Sequence, residues 1–310
     1  MRGIKARTRG GGILVRRPGR SGRPVPGDLA AMLDALRSLL VGITEGAGVQ
    51  TPSAALAYGL SLAREAGAHL TVQAMTVEIV VPNAWISGFA AALAETENAR
   101  LRGLAWAAAE AARAEAAAAG LRCTARAQAL GAADLFALLA ARARVNDLTL
   151  LDAEPSLLAT QRGLIEDLIL YGGGPLLVVP PGWTEFRAAR AVVAWDGSAA
   201  ASRALRDALP LLRQARDVHV VTVTAPGRSD EAVPGAEVGP FLARHGVAAT
   251  LVDLPGEDGV AGTLRRHAVE ARADLLVMGG FVHARLREMV LGGVTAALLT
   301  DCPVPLLLAH

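Results

Sequence analysis

The fold of this chain is decided by the stretch Ala273-Asp-Leu-Leu-Val-Met-Gly-Gly-Phe-Val-His-Ala-Arg-Leu-Arg-Glu-Met-Val-Leu-Gly-Gly-Val-Thr295. Its apolar run, typical of a buried parallel strand, ends at Gly279-Gly280. A second glycine pair, Gly292-Gly293, opens a segment that we expect to be a helix. Glycines let the main chain approach an anion closely, and the N–H groups at a helix N-terminus bind anionic oxygens. The stretch therefore predicts a phosphate-binding loop.

Strand-like and helix-like segments alternate along the rest of the chain, and the same order of segments occurs twice. The first copy begins at Ser38–Thr44 and the second at Ala191–Ser198. Alternation with short connections favours parallel sheets with right-handed crossovers. We therefore predict an α/β fold of two doubly wound, Rossmann-like domains with mainly parallel five-stranded sheets, over residues 36–181 and 190–310.

Each copy ends on an apolar strand that follows a proline. These terminal strands are Pro175–Val179 and Val304–Leu308. A strand that carries proline suits the edge of a sheet. We expect the two terminal strands to pair with each other, so that the two domains form an internal pseudo-dimer.

The first thirty-one residues differ in composition from the remainder. Residues 1–31 carry eight basic side chains, including Lys5 as the only lysine of the chain, against the single acid Asp28. Without them, 23 basic and 28 acidic residues remain, so the net charge of +2 reflects this segment. A polar, Gly-, Pro- and Arg-rich segment cannot bury enough surface to fold alone. We predict a disordered basic extension, with contact to an anionic surface or nucleic acid as the alternative.

Composition also narrows the class of protein. Apolar residues make up 52% of the chain and aromatic residues only 4%, which predicts aliphatic cores. Cys123 and Cys302 lie in different halves without metal-ligand spacing, so we expect neither a disulfide framework nor a metal site. No uncharged apolar run reaches the roughly 18–20 residues of a membrane helix. These features indicate a cytoplasmic protein.

The sequence resembles the universal stress protein family. The resemblance rests on Val192-Val-Ala-Trp-Asp-Gly-Ser198, on the Ala273–Thr295 stretch and on the closing Cys302-Pro-Val-Pro-Leu-Leu-Leu-Ala-His310. It is weak in the first half and strong in the second. The resemblance implies two universal-stress-type domains in one chain. ATP, with Mg²⁺, is then the ligand implied for the second domain, bound without a catalytic residue.

The motif of the ATP-binding family members transfers to this chain position by position. That motif is a glycine, two residues, a glycine, nine residues and then Gly-Ser or Gly-Thr, with an aspartate ending the first strand. Gly279 and Gly292 match glycines, and Asp196 matches the aspartate, implied to lie near the ribose or the base. Val223 matches the adenine contact. The main-chain donors would come from Gly292, Gly293, Val294 and Thr295.

The chain departs from the motif at two positions. Val282 stands in place of the second glycine, and Gly293 replaces the hydroxyl residue. A β-branched residue at a glycine position costs roughly 1–3 kcal/mol if the conformation is kept. His283 and Arg285, with Arg287, add donors that suit phosphate. The alternative is that this charged run is only a solvated helix or loop face.

The first half keeps less of the motif. Glu45 takes the place of the aspartate only with a shift of one residue, and Asp152-Ala-Glu-Pro155 puts two acids where a phosphate loop needs donors. Acidic groups there repel a triphosphate unless a metal intervenes. We therefore expect the first domain to be a structural partner without a ligand.

Other chemistries lack their motifs. With Lys5 alone there is no Gly-Lys-Ser/Thr phosphate loop, and no Gly-x-Ser-x-Gly elbow is present. Ser198 is predicted to cap the following helix, and Trp195 to line the core or the adenine side. Four histidines are scattered without metal-ligand spacing and are interpreted as polar surface residues or hydrogen-bonded core residues: His69, His219, His245 and His267. His310 is interpreted as a frayed terminus.

Three functions remain open. The first is a non-catalytic stress-response or nucleotide-sensing protein that binds ATP in its second domain. The second is a ligand-free interaction scaffold with a vestigial nucleotide site. The third is a slow ATP hydrolase, for which Asp196 is the only base that can be nominated.

Overall fold

The structure is a computed structural model that describes residues 6–7, 13–15, 33–44, 52–80, 88–153, 162–224, 237–280, 282–285 and 288–310. It divides into two compact units. The N-terminal unit comprises Leu36–Gly174 and Pro181–Phe186. The C-terminal unit comprises Pro175–Pro180 and Arg187–His310, together with the described residues before Leu36.

The N-terminal unit alternates strands with helices. In chain order its elements are β3 (Ser38–Thr44), α1 (Ala54–Ala66), β4 (His69–Val77), α2 (Gly88–Ala118), β5 (Cys123–Leu130), α3 (Ala132–Ala143), β6 (Leu148–Asp152) and α4 (Arg162–Tyr171). The strands pair in parallel in the order β6-β3-β4-β5.

Local sequence sets the ends of α1. The Ser53 hydroxyl accepts a hydrogen bond from the Leu56 N–H and so satisfies one of the donors that a helix N-terminus leaves open. Gly67 ends the helix in the left-handed conformation, at φ 63°, where its N–H donates to the Ala63 carbonyl.

The C-terminal unit has the same alternation. Its elements are β1 (Ala6–Arg7), β2 (Ile13–Val15), β7 (Leu176–Val179), β8 (Arg190–Ala194), α5 (Ala199–Asp207), α6 (Leu209–Leu212), β9 (Asp217–Thr224), α7 (Val238–Arg244), β10 (Ala249–Pro255), α8 (Gly259–Glu270), β11 (Leu275–Gly279), β12 (Val282–Arg285), β13 (Glu288–Leu291), α9 (Gly293–Thr300) and β14 (Leu306–Ala309). Five strands, in the order β10-β9-β8-β11-β14, pair in parallel.

Antiparallel strands extend this five-stranded sheet. At one end, β2 pairs with β10, and β1 pairs with β2. At the other end, β7 pairs with β14, with Leu177 opposite Leu307. The predicted pairing of the two terminal strands is therefore confirmed. The C-terminal unit includes β7, and the described parallel strands of the N-terminal unit are β6, β3, β4 and β5.

The sequence prediction of an α/β fold with mostly parallel sheets is confirmed. The cores are aliphatic, as composition predicts: β11 and β14 are buried along almost their whole length, and most residues of β3, β4 and β8 are buried. Tyr58 is a fully buried exception that meets Phe186 edge-to-face at 5.7 Å. Of the extension predicted over residues 1–31, the structure describes β1 and β2, and the other residues lie outside the described ranges.

Candidate nucleotide site

The strand order of the C-terminal unit reverses between β8 and β11. These strands pair with Val193 opposite Val277, and chain connections leave them in opposite directions. In open α/β sheets the crevice at the carboxyl ends of such strands is where ligands bind. Asp196 follows the end of β8, and Gly279 is the last residue of β11. The structure therefore brings these two predicted residues to one sheet edge, at its switch point.

A tight turn holds Asp196 in place. One oxygen of its exposed carboxylate accepts a hydrogen bond from the Ser198 N–H at 2.9 Å. The Ser198 hydroxyl in turn accepts from the Ala201 N–H at 3.1 Å, so Ser198 caps α5. This confirms the helix-capping role predicted for Ser198. The turn leads directly from β8 into α5.

Gly279 is needed because α5 approaches β11 closely. A Cβ atom at this position would lie 2.7 Å from the Ala201 nitrogen and 2.8 Å from the Ala200 carbonyl carbon. Both are main-chain atoms, which cannot move aside as the end of a side chain can. Glycine at 279 thus has a packing reason that does not depend on a ligand.

The second glycine pair opens α9, as predicted. Gly292 is the residue before the helix and is buried, whereas Gly293 is exposed and would have no atom within 4 Å of an added Cβ. Val294 is half-buried and Thr295 is fully buried. The first N–H groups of a helix have no acceptor within the helix, so α9 begins with main-chain donors at Gly293 and Val294, and the predicted Thr295 is the third residue of the helix.

Between the two glycine pairs lies a β-hairpin. Its strands β12 and β13 pair antiparallel, with Val282 opposite Leu291 and Arg285 opposite Glu288. The described main chain over Val282–Arg285 and Glu288–Leu291 is therefore extended and not helical, while the solvated face proposed for this charged run stays a prediction. His283 and Arg285 lie on β12, while the contacts of their side chains and the predicted position Arg287 lie outside the described part of the chain.

Two further predicted residues lie at the carboxyl ends of neighbouring strands. Val223 is the penultimate residue of β9 and is half-buried, opposite Leu254 of β10. Trp195 follows β8, and its main-chain N–H donates to the Val221 carbonyl at 2.8 Å. The Trp195 Nε1 atom is buried and has no hydrogen-bond partner among the described residues. Such an orphaned donor normally has an acceptor, which makes it a candidate for a ligand contact.

The residue after β14 contacts the residue that follows β11. His310 Nδ1 lies 2.9 Å from the Gly280 carbonyl oxygen, and Arg203 donates to the main-chain oxygen of His310 at 2.6 Å. The interpretation of His310 as frayed is therefore wrong. The contact joins His310 to Gly280, thirty residues earlier in the sequence, and holds His310 at the end of β11.

The corresponding edge of the N-terminal unit is filled by a carboxylate. Counting from the pairs Leu39–Leu148 and Ala191–Leu275, Asp152 is the counterpart of Gly279. Its two oxygens accept from the Ser53 hydroxyl at 2.7 Å and from the Ala55 N–H at 2.8 Å. The acid takes up donors at the start of α1 that an anionic ligand would need.

The same registers identify the counterpart of Asp196. It is Thr44, which lies five residues after Leu39 as Asp196 lies five after Ala191. The predicted Glu45 lies outside the described residues. The N-terminal unit thus has neither the glycine nor the aspartate at the equivalent positions.

Two histidines that seemed scattered meet in the C-terminal unit. His219 Nδ1 of β9 lies 3.0 Å from His267 Nε2 of α8. Packing of α8 on the sheet brings together these two positions, which are 48 residues apart in the sequence. In the described ranges no group of three or more His, Cys, Asp or Glu side chains is placed to hold a metal ion.

Comparison with known proteins agrees with this geometry. The model of the universal stress protein family matches residues 188–310. Those residues are therefore similar to a universal stress protein domain. No curated protein matches the chain.

Solved structures extend the fold likeness beyond the universal stress protein domain. A universal stress protein from Archaeoglobus fulgidus DSM 4304 is 13% identical and superposes with a TM-score of 0.61, covering 90% of this chain and 97% of its own. A functionally unknown protein from Pseudomonas aeruginosa PAO1 is 18% identical, with a TM-score of 0.56 and coverages of 90% and 94%. At these identities the likeness shows the fold alone. Over the described residues, no helix is both long and apolar enough to span a bilayer.

Proposed function

We propose that this chain is a tandem universal stress protein, a non-catalytic stress-response protein that senses a nucleotide through its C-terminal unit. The observation that carries the proposal is the contrast at the switch point. Where the N-terminal unit places the Asp152 carboxylate on the first turn of α1, the C-terminal unit has Gly279 and no side chain at all. Among the described residues, the C-terminal unit has no carboxylate at this strand-end position to repel an anion.

The residues present there fit ATP with Mg²⁺. The N–H groups at the start of α9, those of Gly293 and Val294, would hold phosphate oxygens. Asp196, held by its turn and exposed, would accept from a ribose hydroxyl or the base. The orphaned Trp195 Nε1 supplies one further donor beside it. Mg²⁺ binds oxygen ligands and would neutralise charge on the phosphates.

A ligand-free scaffold is the second candidate function. It is favoured by the close approach of α5, which accounts for Gly279 without any nucleotide. On this alternative the glycine pattern is a remnant, and the exposed sheet edge or a helical face serves a protein partner. A nucleotide bound to the purified protein, identified by mass spectrometry, would eliminate it.

Hydrolysis of ATP has a weaker basis. Asp196 is the only nominated base, and one of its carboxylate oxygens already accepts from the Ser198 N–H. If a slow phosphate release were measured and were the same in Asp196→Ala, the assignment of Asp196 as a base would be wrong.

Thermal melting tests the proposal. A ligand that binds only the folded state raises the melting temperature, by an amount set by its concentration relative to Kd. We expect millimolar ATP with Mg²⁺ to raise the melting temperature of the wild type and to raise it less in Asp196→Ala. The matched control is Asp134→Ala, which removes an exposed acid of the N-terminal unit.

Substitution of Val282 distinguishes a native ATP site from a vestigial one. If the wild type shows no ATP-dependent melting shift and Val282→Gly acquires one, the native site is vestigial. A shift already present in the wild type, and lost in Asp196→Ala, supports nucleotide sensing.

A further inference from the structure

The His219–His267 pair lies away from the nucleotide edge. His219 is the third residue of β9, and His267 lies in the last turn of α8. Both therefore belong to the amino ends of the parallel strands, whereas Asp196 and Gly279 lie at the carboxyl ends. The proposed nucleotide site does not use these histidines.

The two rings converge through their nitrogen atoms. His219 Nδ1 and His267 Nε2 are 3.0 Å apart, and the ring centroids are 5.2 Å apart with a 40° angle between the planes. At most one proton can lie between two imidazole nitrogens at this distance. The arrangement therefore presents two ring nitrogens to one point in space.

A carboxylate lies near the other nitrogen of the first ring. Asp217 precedes His219 by two residues on β9, so both side chains lie on one face of the strand. The Asp217 Oδ2 atom lies 3.5 Å from His219 Nε2, the nitrogen that does not face His267. Metal-binding histidines typically donate the N–H that is not used for the metal to a carboxylate in this way.

We propose that His219 Nδ1 and His267 Nε2 bind one divalent transition-metal cation of the Zn²⁺, Ni²⁺ or Cu²⁺ class. Two nitrogens bound to a tetrahedral Zn²⁺ at about 2.0–2.1 Å lie about 3.3 Å apart. The observed separation thus needs to open by only a few tenths of an ångström. Water molecules complete the coordination, since only two protein nitrogens converge.

The surroundings suit such a cation. Burial and the neighbouring His219 lower the pKa of His267. Glu270, one turn further along α8, and Asp217 add negative charge. Thr250 and Val192, which flank His219 in the sheet, are uncharged, while Arg190 flanks Asp217.

Access and ligand type distinguish this site from Mg²⁺ bound with a nucleotide. The His219 side chain keeps 24% of its surface exposed, which gives a cation an entry path. Imidazole nitrogen suits Zn²⁺, Cu²⁺ and Ni²⁺, whereas Mg²⁺ requires oxygen ligands. Binding of Zn²⁺ here is therefore independent of whether ATP binds at the other edge of the sheet.

Calorimetric titration of the full chain, stripped with EDTA, with ZnCl₂ tests the proposal. We expect one equivalent to bind, and expect His219→Gln and His267→Gln each to weaken binding at least tenfold. Asp217→Asn should weaken it roughly 10–100-fold, as loss of an orienting carboxylate does. The control is His69→Gln, which removes a half-buried strand histidine bonded to Thr124 and should leave binding unchanged.

Two results would overturn the proposal: no stoichiometric Zn²⁺ binding to the wild type, or binding as strong in either glutamine variant as in the wild type. Melting curves establish that each variant is folded. If a variant does not fold, imidazole ¹⁵N NMR of the wild type decides. Zn²⁺ must then shift the ring signals of two of the six histidines together, those that report the mutual contact. Shifts confined to other histidines contradict the assignment.

Discussion

The two units differ most clearly at the last residue of one central strand. In the N-terminal unit this residue is Asp152, whose carboxylate accepts from Ser53 and Ala55. In the C-terminal unit it is Gly279, and α5 lies so close that even a Cβ would contact its main chain at 2.7 Å. The residue at this strand end thus either supplies a hydrogen-bond acceptor to the start of the neighbouring helix or has no side chain there.

The difference has a structural consequence for the helices. Because Asp152 has a Cβ and a carboxylate where Gly279 has no room for either, α1 must begin further from β6 than α5 begins from β11. Both helices are nevertheless capped in the same way, since Ser53 and Ser198 each accept from the N–H three residues on. The units share their scaffold and differ in what occupies the edge.

The largest loss of stability is expected when the acid of the N-terminal unit is introduced at the equivalent position of the C-terminal unit. Gly279→Asp forces a side chain against the main chain of α5 and should destabilise the protein by roughly 2–4 kcal/mol, because overpacking against fixed atoms is costly. Urea denaturation measures it. The control Gly293→Ala has open space around the new Cβ and should change the free energy of unfolding by less than about 0.5 kcal/mol. A fully stable Gly279→Asp would show that the two edges are not different.

The reverse change should cost less. Asp152→Ala removes the acceptor of two hydrogen bonds at the start of α1, and we expect a loss of about 2 kcal/mol. Chemical denaturation checks this, with Glu115→Ala as an exposed acidic control. We further expect Asp152→Ala to gain no affinity for ATP, because Thr44 stands where Asp196 stands in the other unit. ATP binding to the N-terminal unit of this variant would contradict the comparison.

The matched serine caps give a finer test. Ser53→Ala and Ser198→Ala should each cost about 1 kcal/mol, the usual effect of losing an N-cap. Ser53→Ala should cost roughly 0.5–1 kcal/mol more, because its hydroxyl also donates to Asp152 at 2.7 Å. A double-mutant cycle with Asp152→Ala measures the coupling. Equal costs for the two serines would show that the Ser53–Asp152 contact contributes nothing.

The smallest effect concerns the hydroxyl that the motif has and this chain lacks at Gly293. Gly293→Ser has open space and should leave stability nearly unchanged, while adding one donor at the first turn of α9. An exposed hydrogen bond contributes roughly 0.5–1 kcal/mol, which corresponds to about a two- to fivefold gain in ATP affinity. Gly293→Ala is the matched control that lacks the hydroxyl. Identical affinities in the two variants would place the phosphates elsewhere.

Sequence patterns predicted the parts of this molecule that depend on local chemistry and periodicity. The alternation of strands and helices, the cap at Ser198, and the pairing of the proline-flanked terminal strands all follow from short segments. The sequence also indicates that Asp152, at the end of a strand, is unfavourable for a phosphate. That it bonds Ser53, 99 residues earlier, depends on the end of β6 meeting the start of α1.

Other features arise only when distant segments pack. His219 and His267 meet because α8 lies across β9, and His310 reaches Gly280 because β14 lies beside β11. The hairpin of β12 and β13 was missed because its charged residues have the composition of a solvated helix face. Alternation over four residues is too short a signal to distinguish the two.

The stoichiometry of ATP binding tests the central claim most directly. Isothermal titration of the full chain with ATP and Mg²⁺ should show one equivalent bound, weakened in Asp196→Ala and unchanged in Asp152→Ala. Two equivalents would contradict the claim that Asp152 closes the N-terminal edge. No binding heat, together with no shift in melting temperature, would contradict the claim that the edge at Gly279 holds a nucleotide.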